Sequence, residues 1–275
     1  MFQHREVWLA TKHRKEEVVA PVLEEAFQMK IRVPDGLDTD TLGTFSGEVP
    51  RPGDPVQTLR MKCQMVLDQF GGDLALASEG SFGAHPQAGF VPVDEEWMML
   101  LDTRNEVEIV VRELSMETNF NASDFVTESE LMSFAKRAHF PTHGLILKGK
   151  DGRIVKGIAD QQMLMATYRE LLSGGLPLRV ETDMRAMYNP TRMQVIKTTA
   201  RKLVQQMQSV CKQCGTPGYG VVRSEMGLPC EWCSQPTKAI LAWIYQCKKC
   251  GIEERQLFPQ GKQTENPMYC DSCNP

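Results

Sequence analysis

Cys211-Lys212-Gln213-Cys214, Cys230-Glu231-Trp232-Cys233, Cys247-Lys248-Lys249-Cys250 and Cys270-Asp271-Ser272-Cys273 punctuate the end of this 275-residue chain. Their spacing decides how that end folds. Two residues between thiolates let a tight turn aim both sulfurs at one ion. Two such turns complete a tetrahedral shell at about 2.3 Å per Zn–S bond. Fifteen residues separate the first two pairs and nineteen the last two, the spacing of zinc ribbons. Gly215 and Gly251 follow a second cysteine, where such a knuckle often needs positive φ. Strand-like runs, Gly220-Val221-Val222 and Ala239 to Tyr245, lie between pairs. Sequential pairing, first with second and third with fourth, is the default; the spacing leaves an interleaved arrangement open.

Two rival uses of the cysteines weigh less. Disulfides belong to exported proteins, and Met1 to Glu6 leads into one short apolar run rather than a signal-peptide core. Ferredoxin-type clusters draw on bunched cysteines, whereas these pairs are evenly placed. The expected location is therefore the cytoplasm. No run of apolar residues is long enough to span a bilayer. Each site is filled by four cysteines (Cys211, Cys214, Cys230, Cys233, Cys247, Cys250, Cys270, Cys273), so two structural zinc ions are expected, with no open catalytic position.

Charge constrains the partners. From Cys211 onward there are seven Lys/Arg and six Asp/Glu, and each Zn(Cys)₄ centre adds about two negative charges. The whole chain carries −4 with a pI near 5.8. Phosphate-backbone binding needs the opposite sign, which disfavours nucleic acid. A purely structural role, or a protein partner docked by the ribbons, is the expectation.

Outward from the cysteines, a long helix capped by Asn189-Pro190 precedes them, and the rest alternates strands and helices. The expected fold class is α/β, a mixed-sheet N-terminal domain followed by a small double zinc ribbon. Boundaries fall at 1–189 for the first domain, 190–209 for the linking helix and 210–275 for the ribbons. Glu6 to Ala10 reads as a strand, then a helix from about Lys15 to Gln28, then a short strand from Lys30. Asp54-Pro55 opens the clearest helix, with Asp as N-cap and Pro at the first helical position. Its apolar stripe runs Val56, Leu59, Cys63, Val66, Leu67, Phe70, and Gly71-Gly72 ends it. Cys63 on that stripe is a core residue rather than a nucleophile. Strands are expected at Leu74 to Ala77, near 97–101 and near 107–114. Thr127-Glu128-Ser129-Glu130 is a capping box. Asp151-Gly152 marks a hairpin.

Three polar segments are candidates for chemistry. Thr11-Lys12-His13-Arg14-Lys15 sits between strand and helix, where hydroxyl, imidazole and ammonium groups beside helix amides make an anion cradle or simply a solvated basic turn. Glu79 in Ser78-Glu79-Gly80-Ser81-Phe82-Gly83 is a carboxylate at a strand end flanked by glycines. That arrangement suits Mg²⁺ or a plain turn. Thr58 and Lys62 lie one turn apart, opposite the apolar stripe, where most side chains are solvated. Asp38 and Asp40 resemble an acidic metal loop without the remaining ligands of an EF-hand. His139 and His143 flank Pro141 with no third ligand nearby. Arg185 and Arg192 flank the last helix start, within reach of a phosphate.

Taken in order, Leu9-Ala10-Thr11-x-His13-x-Lys15, then Gln57-Thr58-x-x-x-Lys62-Cys63, then Ala77-Ser78-Glu79-Gly80-Ser81 resembles the inosine-triphosphatase-like fold. The nearest branch is the aberrant-purine nucleoside triphosphate phosphatases. The resemblance covers about the first ninety residues and implies phosphate contacts at Thr11, His13, Lys15, Ser81 and Arg192. It implies support from Lys62 and a Mg²⁺ held by Glu79. It departs from that family where His13 stands for the usual Asn and where Glu79 lacks a second acidic neighbour. The whole chain also resembles an uncharacterised bacterial two-domain family. The implied activity is Mg²⁺-dependent hydrolysis of a nucleotide phosphoanhydride, with Glu79, Lys15, His13 and Lys62 as catalytic residues. The rival is a non-catalytic ligand-binding or regulatory protein whose ribbons dock a protein partner.

Overall fold

A computed structural model describes residues 1–36, 54–86 and 88–275. The Asp38 and Asp40 loop lies outside the described residues. The chain divides into two compact units, Met1–Val204 and Gln205–Pro275.

The first unit opens with β1 (Glu6–Ala10), α1 (Glu16–Phe27) and β2 (Lys30–Arg32). It continues with α2 (Pro55–Phe70), β3 (Leu74–Ala84), β4 (Pro92–Asp102) and β5 (Val107–Ser115). The five strands form one mixed sheet in the order β2-β1-β3-β4-β5. β1 pairs in parallel with β2 and β3, while β3, β4 and β5 form an antiparallel meander. Because β2 and β3 flank β1 on opposite sides, right-handed crossovers place α1 and α2 on opposite faces. The chain order therefore reverses between β1 and β3, the kind of topological switch point beside which open α/β sheets bind ligands.

α2 forms where its sequence says it should. Asp54 Oδ1 accepts from Gln57 N at 3.0 Å, Pro55 takes the first turn, and Gly71 with φ 75° closes it. Leu59, Cys63, Val66 and Leu67 pack on Ala10, Ala75, Ala77 and Met99 of the sheet. Burial pushes the Cys63 thiol up, so this residue is inert core. Thr58 and Lys62, expected to be solvated, are instead buried. They share a helix row with Val66 at four-residue spacing, so the sheet-facing side of α2 is wider than its apolar stripe.

A second sheet follows in the same unit. It contains β6 (Ala122–Phe125), β7 (Leu145–Lys148), β8 (Ile154–Ile158) and β9 (Leu178–Thr182), ordered β6-β9-β7-β8. α3 (Glu128–Arg137) starts at the Thr127 capping box, and α4 (Gln161–Leu172) at Asp160, whose Oδ1 accepts from Met163 N at 2.8 Å. Leu131, Phe134, Leu164 and Leu171 of these helices form a core with Leu145, Leu147 and Val180. α5 (Pro190–Gln208) begins at Asn189, whose Oδ1 accepts from Arg192 N at 2.9 Å.

Two expectations need correcting here. Ser78 to Gly83 is not a turn: β3 runs through it to Ala84, paired residue for residue with β4. Neither Gly80 nor Gly83 has the positive φ of a turn glycine. The strand expected near 97–101 starts five residues earlier, at Pro92, because inward-facing acidic residues extend its alternation.

The second unit holds a three-stranded antiparallel meander, β10 (Gly220–Met226), β11 (Ile240–Gln246) and β12 (Glu253–Leu257). Cysteine pairs sit before, between and after these strands.

Candidate functional site and metal centres

The strand register of the first unit sorts its polar residues by face. Ser78, Gly80 and Phe82 of β3 share one face with Met98, Glu96 and Asp94 of β4, and Glu79 shares the other with Trp97. Beyond Ala77, β3 has outrun its β1 partner. The Thr11 to Lys15 loop leaves the end of β1 there.

Lys15, just before α1, brings its Nζ to Ser78 Oγ at 2.9 Å and lies 4.0 Å from Glu96. From α5, Arg192 donates through Nε to Glu96 Oε1 at 2.6 Å and through another nitrogen to the Met184 carbonyl. Its guanidinium covers the Phe82 ring at 5.1 Å. On the α2 side, Lys62 is ion-paired with Glu79. Lys15, Lys62, Arg192, Glu79, Asp94 and Glu96 are each at most 8% exposed. Three cations and three carboxylates are thus withdrawn from water where β3 runs on past the end of β1, Lys62 and Glu79 on one face of the sheet and the other four on the opposite face.

Gly80 is the residue that makes room for them. A Cβ there would overlap the Glu96 carboxylate and the Arg192 guanidinium. The glycine serves close approach across the sheet, not a turn.

Not every polar atom of the cluster is satisfied. Among the described residues no donor reaches either carboxylate oxygen of Asp94 or Oε2 of Glu96, and the Thr11 hydroxyl has no partner. Asp94 and Glu96 lie close enough to share a proton. Burial first, then the Glu96 charge, raises Asp94 to about 8, against the opposing pull of Arg192 and Lys15. Burial also lowers Lys15 to about 8, helped by Arg192 and Lys62 and resisted by Glu96 and Glu79. Titrations shifted by burial beside specific charge partners make this cluster a candidate functional site.

The structure gathers Thr11, Lys15, Lys62, Glu79 and Arg192 from the sequence-predicted set. Ser81 lies on the Glu79 face, opposite Asp94 and Glu96, and donates to Glu95 Oε2 at 3.0 Å. His13 is half-buried in the adjoining loop. Arg185 is held elsewhere, against the buried Asp183 and the Tyr188 ring. His143 Nε2 lies 2.9 Å from the Thr191 hydroxyl, and His139 and His143 are not part of a third-ligand group among the described residues. Sequence reading missed Asp94 and Glu96. The signal was present: Asp94, Glu96, Met98 and Leu100 continue one period-two face.

In the second unit, Cys211, Cys214, Cys247 and Cys250 form one group and Cys230, Cys233, Cys270 and Cys273 another, each with its sulfurs within 4.8 Å of one another. The pairing is interleaved, first with third and second with fourth, which corrects the sequential default. The meander compels it: β10 carries the chain from one end of the sheet to the other, so the first and second pairs cannot meet. All eight cysteines are free. Sulfur separations of 3.6 Å for Cys211–Cys250, Cys214–Cys247 and Cys233–Cys270 and 3.9 Å for Cys230–Cys273 match the ~3.8 Å edge of a tetrahedron with 2.3 Å Zn–S bonds. The donor set therefore fits two zinc ions.

Residues 62–275 match the family model described as "Domain of unknown function (DUF6671)". The chain belongs to the DUF6671 family. The matched span holds Asp94 and Glu96 of β4, Glu79, Lys62, Arg192 and all eight paired cysteines, and leaves out β1, α1 and Lys15. No curated protein matches the chain. Among solved structures, protein VC0702 from Vibrio cholerae aligns over 74% of this chain and 94% of its own. It does so at 8% identity and a TM-score of 0.34, so it bears on neither fold nor function. No described helix is long and apolar enough to cross a membrane.

Proposed function

We propose that the first unit binds the phosphates of a nucleotide at the β1/β3 switch point and hydrolyses a phosphoanhydride bond there. The observation that carries this is a buried carboxylate pair beside Lys15 and Arg192: Asp94 finds no donor among the described residues, and Glu96 is held by Arg192 through one oxygen only. Two carboxylates facing each other with orphaned oxygens call for a proton or a hard cation between them. Two buried cations on that face, Lys15 and Arg192, suit the oxygens of a phosphate chain. Fold resemblance and site chemistry point the same way, with one change. Glu79 is committed to Lys62, so the residues that fit a magnesium ion best are Asp94 and Glu96. When bound, the ion would neutralise phosphate charge and help orient an attacking water.

The chain's own residues do the rest. Lys15 and Arg192 neutralise oxygens on the Ser78/Glu96 face, Lys62 on the α2 face, and the Thr11 hydroxyl supplies a further contact. A hydrogen bond to Ser78 and ion pairs with Glu79 and Glu96 hold these side chains in place before ligand arrives. The second reading is ligand binding without turnover. It is favoured by the same ion pairs, because each cation already has an internal partner.

Phosphate and diphosphate release from a nucleotide panel with Mg²⁺ tests the proposal on the zinc-loaded chain, beside Glu96→Gln and Lys15→Ala. Turnover that falls about 10²-fold or more in both variants is expected. No turnover on any nucleotide, with binding retained, selects the second reading.

A further inference from the structure

The two cysteine centres have the same geometry but different surfaces. In each Cys-x-x-Cys knuckle the two inner residues are exposed, so the metal shell places no demand on their identity. At the first centre those positions hold Lys212, Gln213, Lys248 and Lys249, ordinary basic and polar surface. At the second they hold Glu231, Trp232, Asp271 and Ser272. Trp232 is 77% exposed, and Tyr269 and Met268, just before Cys270, are 65% and 63% exposed. Trp232 directly precedes Cys233 and Met268-Tyr269 directly precede Cys270, two ligands whose sulfurs lie 3.6 Å apart, so all three flank one four-sulfur centre.

They are also held in place. Glu231 N donates to the Glu265 carbonyl at 3.0 Å and Glu265 N to the Pro229 carbonyl at 2.9 Å, which clamps the two knuckles together. Asn266 Oδ1 accepts from Met268 N, and Asn274 Nδ2 donates to the Met268 carbonyl, both at 2.9 Å. Large aromatic side chains on a preorganised backbone lose little entropy on binding and dominate interface energetics. Methionine adds adaptability.

Charge names the kind of partner. The knuckles of the first centre carry three lysines and no acid; those of the second carry Glu231 and Asp271 and no base. Around the second centre (227–239 and 258–275) three acidic residues face two lysines. Lys238 pairs with Asp271 and Lys262 with Glu265, which leaves Glu231 in excess, and a bound Zn(Cys)₄ adds about two more negative charges. Nucleic acid is repelled by that sum. Aromatic faces beside negative charge attract Lys and Arg.

We infer that the rim of the second cysteine centre, Trp232, Met268 and Tyr269, docks a protein segment in which an apolar anchor is flanked by lysine or arginine. The test is selection of a random twelve-residue phage-displayed peptide library on the zinc-loaded full chain, with counter-selection on Trp232→Gln. Gln213 occupies the equivalent place in the first knuckle, so this variant keeps the fold, and retention of two zinc ions per chain confirms it. Enriched peptides should pair a Leu, Ile or Phe with Lys or Arg, and their synthetic versions should bind the variant about tenfold or more weakly. Peptides that bind both proteins equally, or selected sequences that are acidic, overturn the inference. So does a dimer in sedimentation equilibrium that Trp232→Gln dissolves, since the occupant would then be a second copy. Single-stranded oligonucleotide binding lost in the variant would do the same in favour of nucleic acid.

Discussion

Asp94 and Glu96 stand on one face of β4 and share the Arg192 and Lys15 charges between them. One of the two must surrender its charge unless a cation arrives. With Asp94 raised to about 8, the folded chain holds a proton that the unfolded chain releases near the ordinary carboxylate range. Its contribution to stability is therefore present at low pH and is lost as pH climbs through about 8. Asp94→Asn removes that loss and offers an amide donor to Glu96. Urea unfolding at pH 9 should show the variant more stable than the parent by about 1–3 kcal/mol, with Mn²⁺ binding by electron paramagnetic resonance weakened. Equal stability at pH 9 would mean that the pair is relieved in some other way. Lys15 runs the opposite course: lowered to about 8, its burial penalty applies below that pH and fades as pH rises toward the unfolded value. At the opposite face, Lys62→Ala removes the ion-pair partner of the buried Glu79 charge and should cost about 3–5 kcal/mol in the same assay. Replacing both partners, as Lys62→Met with Glu79→Leu, should cost much less.

At the scale of elements, β3 explains both the success and the failure of reading the chain. α2 was legible because cap, proline, stripe and terminal glycines agree in one local stretch. β3 was half-legible: Leu74 to Ala77 declares itself as buried strand, but Glu79, Gly80 and Ser81 carry the residue types of a turn. What keeps them extended is non-local, the pairing with β4 and the ionic partners from α2 and α5. No local propensity encodes those. Gly80→Ala tests this, because its Cβ would meet Glu96 and Arg192 rather than strain the backbone. It should lower the melting temperature by a few degrees, corresponding to about 1–3 kcal/mol. Combining it with a shorter acid, Glu96→Asp, should recover part of that loss. β12 was missed altogether, since Glu253 to Leu257 is exposed at every position and shows no alternation. Its partner β11 and the flanking cysteine pairs define it.

For the molecule as a whole, the eight cysteines were legible as ligands, and their partners were not. Spacing names the ligands, while pairing depends on how many strands intervene. Metal analysis of the purified chain should give two zinc per chain, and a strong chelator should unfold the 205–275 unit, seen as loss of amide-exchange protection there. Cys270→Ser should lower the content toward one and expose 229–231 and 265–274 first, since their mutual hydrogen bonds rest on the second centre. Retained protection after complete zinc removal would show that the meander stands without metal.

The interleaved pairing also sets a problem for synthesis. A ribosome delivers Cys211, Cys214, Cys230 and Cys233 before any of the remaining four, so the earliest complete set of thiolates is a non-native one. A zinc ion captured there would lash together two turns that the finished meander holds at opposite ends. The nascent chain must let that ion go, or never take it, until β11 has emerged and folded back on β10.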